Sequence, residues 1–107
     1  MILRCSGGSC DCKAHRKCQH NLERRLEQKP HLSIASNVEY EARNLTGEVD
    51  VAMLTSKNYI HFYEVKSRDS KSAYAKACKQ FDRYVKAHPH QRVKGIYVTP
   101  TCVLRIR

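Results

Sequence analysis

The chain has 107 residues, with 20 Lys and Arg against 10 Asp and Glu and a formal net charge of +10. That length supports one domain, residues 1–107, built on a single modest core, so any catalytic site has to share its few elements with that core. The excess of positive charge predicts a polyanionic partner, nucleic acid before an anionic membrane, because each phosphate neutralised by Lys or Arg releases condensed counterions.

Six cysteines stand at positions 5, 10, 12, 18, 78 and 102. The Met1 to Leu3 start is too short for a signal-peptide core and no run approaches the length of a transmembrane helix, so the chain reads as intracellular, without a membrane partner and with reduced thiols. Cys5, Cys10, Cys12 and Cys18, with His15 and His20 nearby, offer enough soft ligands for a tetrahedral structural zinc site. Free or buried thiols are the alternative, since no Cys-x2-Cys pair is present and Cys18 has a place on an apolar stripe. An iron–sulfur cluster is the third. Cys78 and Cys102 read as packing residues.

From about residue 11 the pattern is helical. Ala14, Cys18, Leu22 and Leu26 recur every four residues until Pro30, which gives a first helix over about 11–28. Val38, Tyr40 and Ala42 then alternate with charged residues as in a half-buried strand, and a turn is expected over Asn44 to Gly47. Glu48 to Leu54 and Tyr59 to Lys66 are two further strands joined by a hairpin loop over Thr55 to Asn58. The helical period returns from Ser70 to His88, with Tyr74, Ala77, Phe81, Tyr84 and Val85 on one face, until Pro89 closes it. Val93 to Val98 and Cys102 to Ile106 are the last strands. The order α-β-β-β-α-β-β predicts an α/β (α+β) domain whose mixed sheet carries a helix on each face.

Three short segments carry charges where the pattern expects apolar residues. Glu64 and Lys66, two apart on a strand, project from one face. Such a pair is common on surface strands, but this one ends one of the most apolar runs of the chain, where charges need partners. Asp50 interrupts another apolar run, and a hairpin sets it beside Glu64. Two carboxylates forced together repel, and a hard divalent cation between them relieves the conflict. Gln80 and Tyr84, four apart, share one side of the second helix, although an ordinary amphipathic helix with Tyr84 in the core reads equally well.

Gly-x-x-Asp at 47–50, Glu-x-Lys at 64–66 and a following helix and strand resemble the PD-(D/E)XK phosphodiesterase superfamily, over roughly residues 11–100. Gln80-x-x-x-Tyr84 is similar to the motif of its RecB-like branch, and the small size and element order are similar to the archaeal Holliday junction resolvases. The resemblance implies a restriction-endonuclease-like core and a DNA nuclease, RNA not being excluded, that is structure- or end-selective and uses Mg2+ or Mn2+. It assigns Asp50, Glu64 and the Val65 carbonyl to the cation, Lys66 to the attacking water and the developing charge, and Gln80 and Tyr84 to supporting Lys66 or the phosphate. Glu23, Gln19 and Glu48 are lesser candidates for an extra ligand, while the stripe turns His20 to solvent and His15 and Gln19 toward the core. Resolvase action would require a homodimer. Lys71, Lys76, Lys79, Arg83 and Lys86 form a basic side of the second helix suited to a phosphate backbone, or simply a solvated face. The rival reading is a nucleic-acid-binding module without catalysis, its Cys/His segment holding zinc.

Overall fold

The computed structural model describes residues 9–56 and 59–106, with backbone alone at 9–12. The elements are α1 (Ser9–Glu27), β1 (Ser33–Ala42), β2 (Leu45–Ser56), β3 (Tyr59–Val65), α2 (Lys71–Ala87), β4 (Arg92–Thr99) and β5 (Cys102–Ile106). The strands form one five-stranded sheet in the order β1-β2-β3-β4-β5. Neighbours pair antiparallel except β3 and β4, which run parallel because α2 carries the chain back between them. The domain is therefore α+β with a mixed sheet and two helices, as the alternation of periods predicts.

The two helices sit on separate cores. Cys18, Leu22 and Leu26 of α1 pack on Val51, Met53, Tyr63 and Val65 of the sheet. Ala77, Phe81 and Tyr84 of α2 pack with Phe62, Tyr97 and Ile106. Successive residues of a strand point to opposite faces, which is why the neighbours Phe62 and Tyr63 belong to different layers. α2 begins at Ser70, whose hydroxyl accepts the Ala73 N–H at 3.1 Å as an N-cap. It ends where the His88 N–H reaches back to the Tyr84 carbonyl, with Pro89 next in the chain.

The first hairpin differs from expectation. Its turn is the two residues Arg43 and Asn44, both left-handed at φ 53° and 64°, between the paired Ala42 and Leu45. Consecutive left-handed residues are the backbone of a type I′ turn, whose twist matches that of the strands. Gly47 is a strand residue opposite Tyr40, and a Cβ there would come within 2.5 Å of the Tyr40 hydroxyl oxygen. The glycine read as a turn signal is thus the seat of a cross-strand ring.

Gly95 has a similar role under α2. A Cβ at Gly95 would come within 2.7 Å of Phe81 Cδ1 and 3.0 Å of its Cγ, close to the root of that side chain. Gly95→Ala is expected to push α2 from the sheet and cost about 1–3 kcal/mol, read as a lower urea midpoint with an unchanged slope.

One irregularity shapes the site. Val51 and Met53 face the α1 layer, yet Val49, two residues before Val51, belongs to the α2 layer. On β1, Ile34 packs with the α1 layer, and Val38 and Tyr40 with the α2 layer. The change of side occurs at Asn37, left-handed at φ 52°, and at Asp50, which lies between the paired residues Ser36↔Val51 and Val38↔Val49. Asp50 is thus neither in one core nor in the other.

Candidate functional site

At Asp50 the sheet forks. The last pair of β2 with β3 is Val51↔Tyr63. Beyond it Glu48 and Val49 stay with β1, while Glu64 and Val65 pair with Tyr97 and Val98 of β4. The Asp50 carboxylate fills the gap, its Oδ2 accepting the Val65 N–H at 2.8 Å in place of a backbone carbonyl. On its other side β3 stays joined to β4, the Lys66 backbone N–H donating to the Val98 carbonyl at 2.9 Å. A carboxylate is therefore fixed by the backbone of the strand that bears Glu64 and Lys66.

Glu64 shares its face with Phe62 and so points to the α2 side. It is 2% exposed, and its Oε1 has no hydrogen-bond partner. Its Oε2 lies 3.5 Å from the Lys66 ammonium, which also donates to Gln80 Oε1 of α2 at 3.2 Å. Burial pushes the Glu64 carboxyl up to about 8, the Asp50 charge adds to the effect, and Lys66 opposes it. One ammonium thus stands against two carboxylates, with an unsatisfied buried oxygen between layers, an arrangement that costs free energy until a proton or another cation arrives.

From the other layer α1 brings His15. Its Nε2 lies 3.6 Å from Asp50 Oδ2, longer than a good hydrogen bond, so the contact is chiefly one of charge. The interaction with Asp50 holds the imidazole above its ordinary value, with help from the Val65 carbonyl and against burial and Lys66. His15 therefore sits against Asp50 on the α1 side of the fork. One turn on, Gln19 is buried, its carboxamide donating to the Asp50 carbonyl at 3.1 Å and to Asn37 Oδ1 at 3.2 Å. That clamp ties α1 to the point where the strands change side.

The site residues expected from sequence fall into groups. Asp50, Glu64, Lys66 and Gln80 converge. Tyr84 does not: its hydroxyl donates to Gln91 Oε1 at 2.7 Å and its ring stacks on His88 and tilts against Phe62. Gln80 lies at the border of the apolar stripe and Tyr84 in its middle, so the shared side of the helix does not bring both to Lys66. Glu23 faces β1, where it accepts from Ser36 and meets His20 at 3.5 Å, and Gln19 holds backbone. Glu48 adds a repulsive charge near Glu64. His15 was missed as a site residue, although its place one position along from the stripe residue Ala14, in line with Gln19, marks it as inward.

Among the described residues no three His, Cys, Asp or Glu side chains enclose a metal position. Cys5 lies outside the described residues, as do the side chains of Cys10 and Cys12, and Cys18 is a free thiol buried in the α1 layer. Lys71, Lys76, Lys79, Arg83 and Lys86 are all on α2 and all exposed. Lys76 and Arg83 stand one turn before and after Gln80, and Arg83 also donates to the Thr46 carbonyl at 3.3 Å. No described helix is long and apolar enough to cross a membrane.

In comparisons with known proteins, no family model and no curated protein matches the chain.

Proposed function

We propose that the protein is a Mg2+-dependent nuclease that hydrolyses phosphodiester bonds in DNA, with structure or end selectivity, and that the fork between β2 and β3 is its active site. The observation that carries the reading is the buried Glu64 carboxylate, with one orphaned oxygen, held beside Asp50. The donors at hand are two carboxylates and the Val65 carbonyl, hard oxygens that suit Mg2+ or Mn2+ better than zinc. Mg2+ commonly takes one or two protein carboxylates and fills its other positions with water and phosphate, so Asp50 and Glu64 suffice for it. When bound, the cation supplies charge stabilisation at the scissile phosphate and acidifies water.

The chain's own groups do the rest. Asp50 is pre-set by the Val65 N–H and by Gln19, so ligand geometry need not be organised during reaction. Lys66 presents an ammonium to the attacking hydroxide and to the charge that grows on phosphorus. Gln80 orients that ammonium, and the Lys76–Arg83 side of α2 takes the phosphates of the strand being cut. His15, beside Asp50, serves as a counter-charge to it. A superfamily of the PD-(D/E)XK type, with a restriction-endonuclease-like core, is the reading that unites these groups with the order of the elements.

The test is a cleavage panel of four-way junction, flap, duplex and single-stranded DNA, with Mg2+ and with EDTA. Scission of at least one substrate is expected with Mg2+ only, and Asp50→Asn is expected to lower its rate by about a thousandfold or more. Wild-type rates from the Asp50→Asn protein would overturn the assignment. Salt-sensitive binding without any scission would favour the module that binds without cutting. A junction cut symmetrically on two strands would require the protein to be a homodimer.

A further inference from the structure

On the other face of the sheet, α1 packs across β1, β2 and β3, and the β4–β5 end is thinly covered, Val103 of β5 being 57% exposed. A cavity of about 290 Å3 opens there, roughly the volume of ten waters, enough for one planar heterocycle. Its floor is Leu22, Leu26, Met53, Tyr63, Ile96 and Val98, and its rim is Arg25, Lys29, His61 and Lys94. None of the described residues that line it is acidic.

Along β3, from the cavity outward, runs a row of rings that an ordinary core does not need. Tyr59, His61 and Tyr63 alternate along β3 and so share this face, with ring centroids 5.1 and 6.3 Å apart in edge contacts. Arg92 lies over the Tyr59 ring at 4.6 Å. Lys94 stands in register with His61, and Ile96 with both Tyr63 and Arg105. Burial, with Lys94 and Lys29 nearby, lowers the His61 imidazole, so at neutral pH it is an uncharged ring among fixed cations. A second copy of the chain would bring like charge to like charge, on a molecule of net charge +10. An acidic peptide would match the rim and leave the row of rings without a role.

We propose that this face binds single-stranded nucleic acid, one base entering the cavity against His61 and Tyr63 while neighbouring phosphates pair with Arg25, Lys29 and Lys94. A row of rings flanked by cations is the combination that holds unpaired strands without reading their sequence, bases stacking and phosphates pairing. The inference does not depend on cleavage, because none of these residues belongs to the Asp50–Glu64 fork.

The experiment is fluorescence anisotropy of the full chain with a labelled oligothymidylate in EDTA, where hydrolysis cannot contribute. His61→Ala and Lys94→Glu are each expected to weaken binding about tenfold. Unlabelled oligothymidylate should compete at least tenfold better than polyglutamate or a duplex of equal length. Amide chemical shifts of the unmodified protein guard against a variant that fails to fold, and residues 61, 63 and 96 should move on titration. Unmoved shifts at those residues, wild-type affinity in a folded His61→Ala protein, or equal competition by polyglutamate or duplex would each overturn the proposal. Loss of cleavage in the nuclease panel would leave these readouts unchanged.

Discussion

Without divalent metal at pH 9, the Glu64→Gln protein is expected to melt on the order of 10 °C above the wild type, and at pH 4.5 or below the two should melt together. The sign follows from the direction in which the fold moves Glu64. Its carboxyl titrates at about 8 in the folded chain against 4.5 unfolded, chiefly through burial and then through the Asp50 charge. Below pH 4.5 both states hold the proton and the group is neutral to folding. Between pH 4.5 and 8 the folded protein keeps a proton that the unfolded chain has released, so stability falls as pH rises, and above pH 8 the whole penalty is present. Glutamine has the shape of the protonated acid and never ionises. Each pH unit that separates the folded from the unfolded value is worth about 1.4 kcal/mol, so the penalty is on the order of a few kcal/mol, and a domain of this size gains several degrees for each kcal/mol. Differential scanning calorimetry across pH 4.5–9 reads it. Equal melting at pH 9 would mean that Glu64 is not a carboxylate stranded beside Asp50.

On the proposed reading, magnesium should narrow that difference. A cation gripped by Asp50 and Glu64 stabilises only the folded state, by an amount that grows with its concentration relative to its dissociation constant. The wild type is expected to gain from it at pH 9, where Glu64 is ionised, while the glutamine protein, with one carboxylate left, gains little. His15 acts in the same direction as Glu64. Its raised imidazole stabilises the fold when charged, an effect fully present below pH 6.5 and lost as pH climbs through the folded value. Both layers thus hold a proton at the fork more tightly than an unfolded chain would.

Much of this was legible in the residues. The period of four in Ala14, Cys18, Leu22 and Leu26 set out α1, because a helix buries one face, and the β-branched and aromatic runs Glu48 to Leu54 and Tyr59 to Lys66 set out β2 and β3, which are covered on both faces. Burial of that kind also made Asp50 and Glu64 conspicuous, as charges within apolar runs. Counting back from a hairpin over Thr55 to Asn58 sets Asp50 opposite Tyr63 and next to Glu64; the observed register is shifted by one at the irregularity between Leu54 and Ser56, and its last pair, Val51↔Tyr63, brings Asp50 up to Glu64 at the fork. What alternation could not disclose was the change of side at Asn37 and Asp50, because it depends on one left-handed residue in β1 whose partner is on α1. Gly47 misled for a related reason. A glycine signals a backbone without a side chain, and whether a turn or a neighbouring ring uses the space is decided by Tyr40, seven residues away in sequence. The role of His15 was hidden because a helix period tells which way a residue faces but not which group waits there.

Lys66 supplies the second large effect. If the nuclease reading holds, Lys66→Met is expected to lower the rate of cleavage by about a hundred- to a thousandfold, the usual loss when one pre-organised group is taken from a developing charge. The ammonium has two partners, Glu64 Oε2 at 3.5 Å and Gln80 Oε1 at 3.2 Å, and each gives the substitution a signature beyond a lower rate. Because Lys66 opposes the rise of the Glu64 carboxyl, its removal should move the alkaline-rising limb of the pH–rate profile to higher pH, since Glu64 must ionise to hold the cation. Gln80→Leu leaves the charge in place and frees only its direction. It should therefore lose less, about tenfold, with the limb where it was. Profiles of both proteins at one Mg2+ concentration well below saturation separate the two roles: an unshifted limb in Lys66→Met would deny the coupling to Glu64, and equal losses in the two variants would mean that the ammonium matters only as a strut for α2.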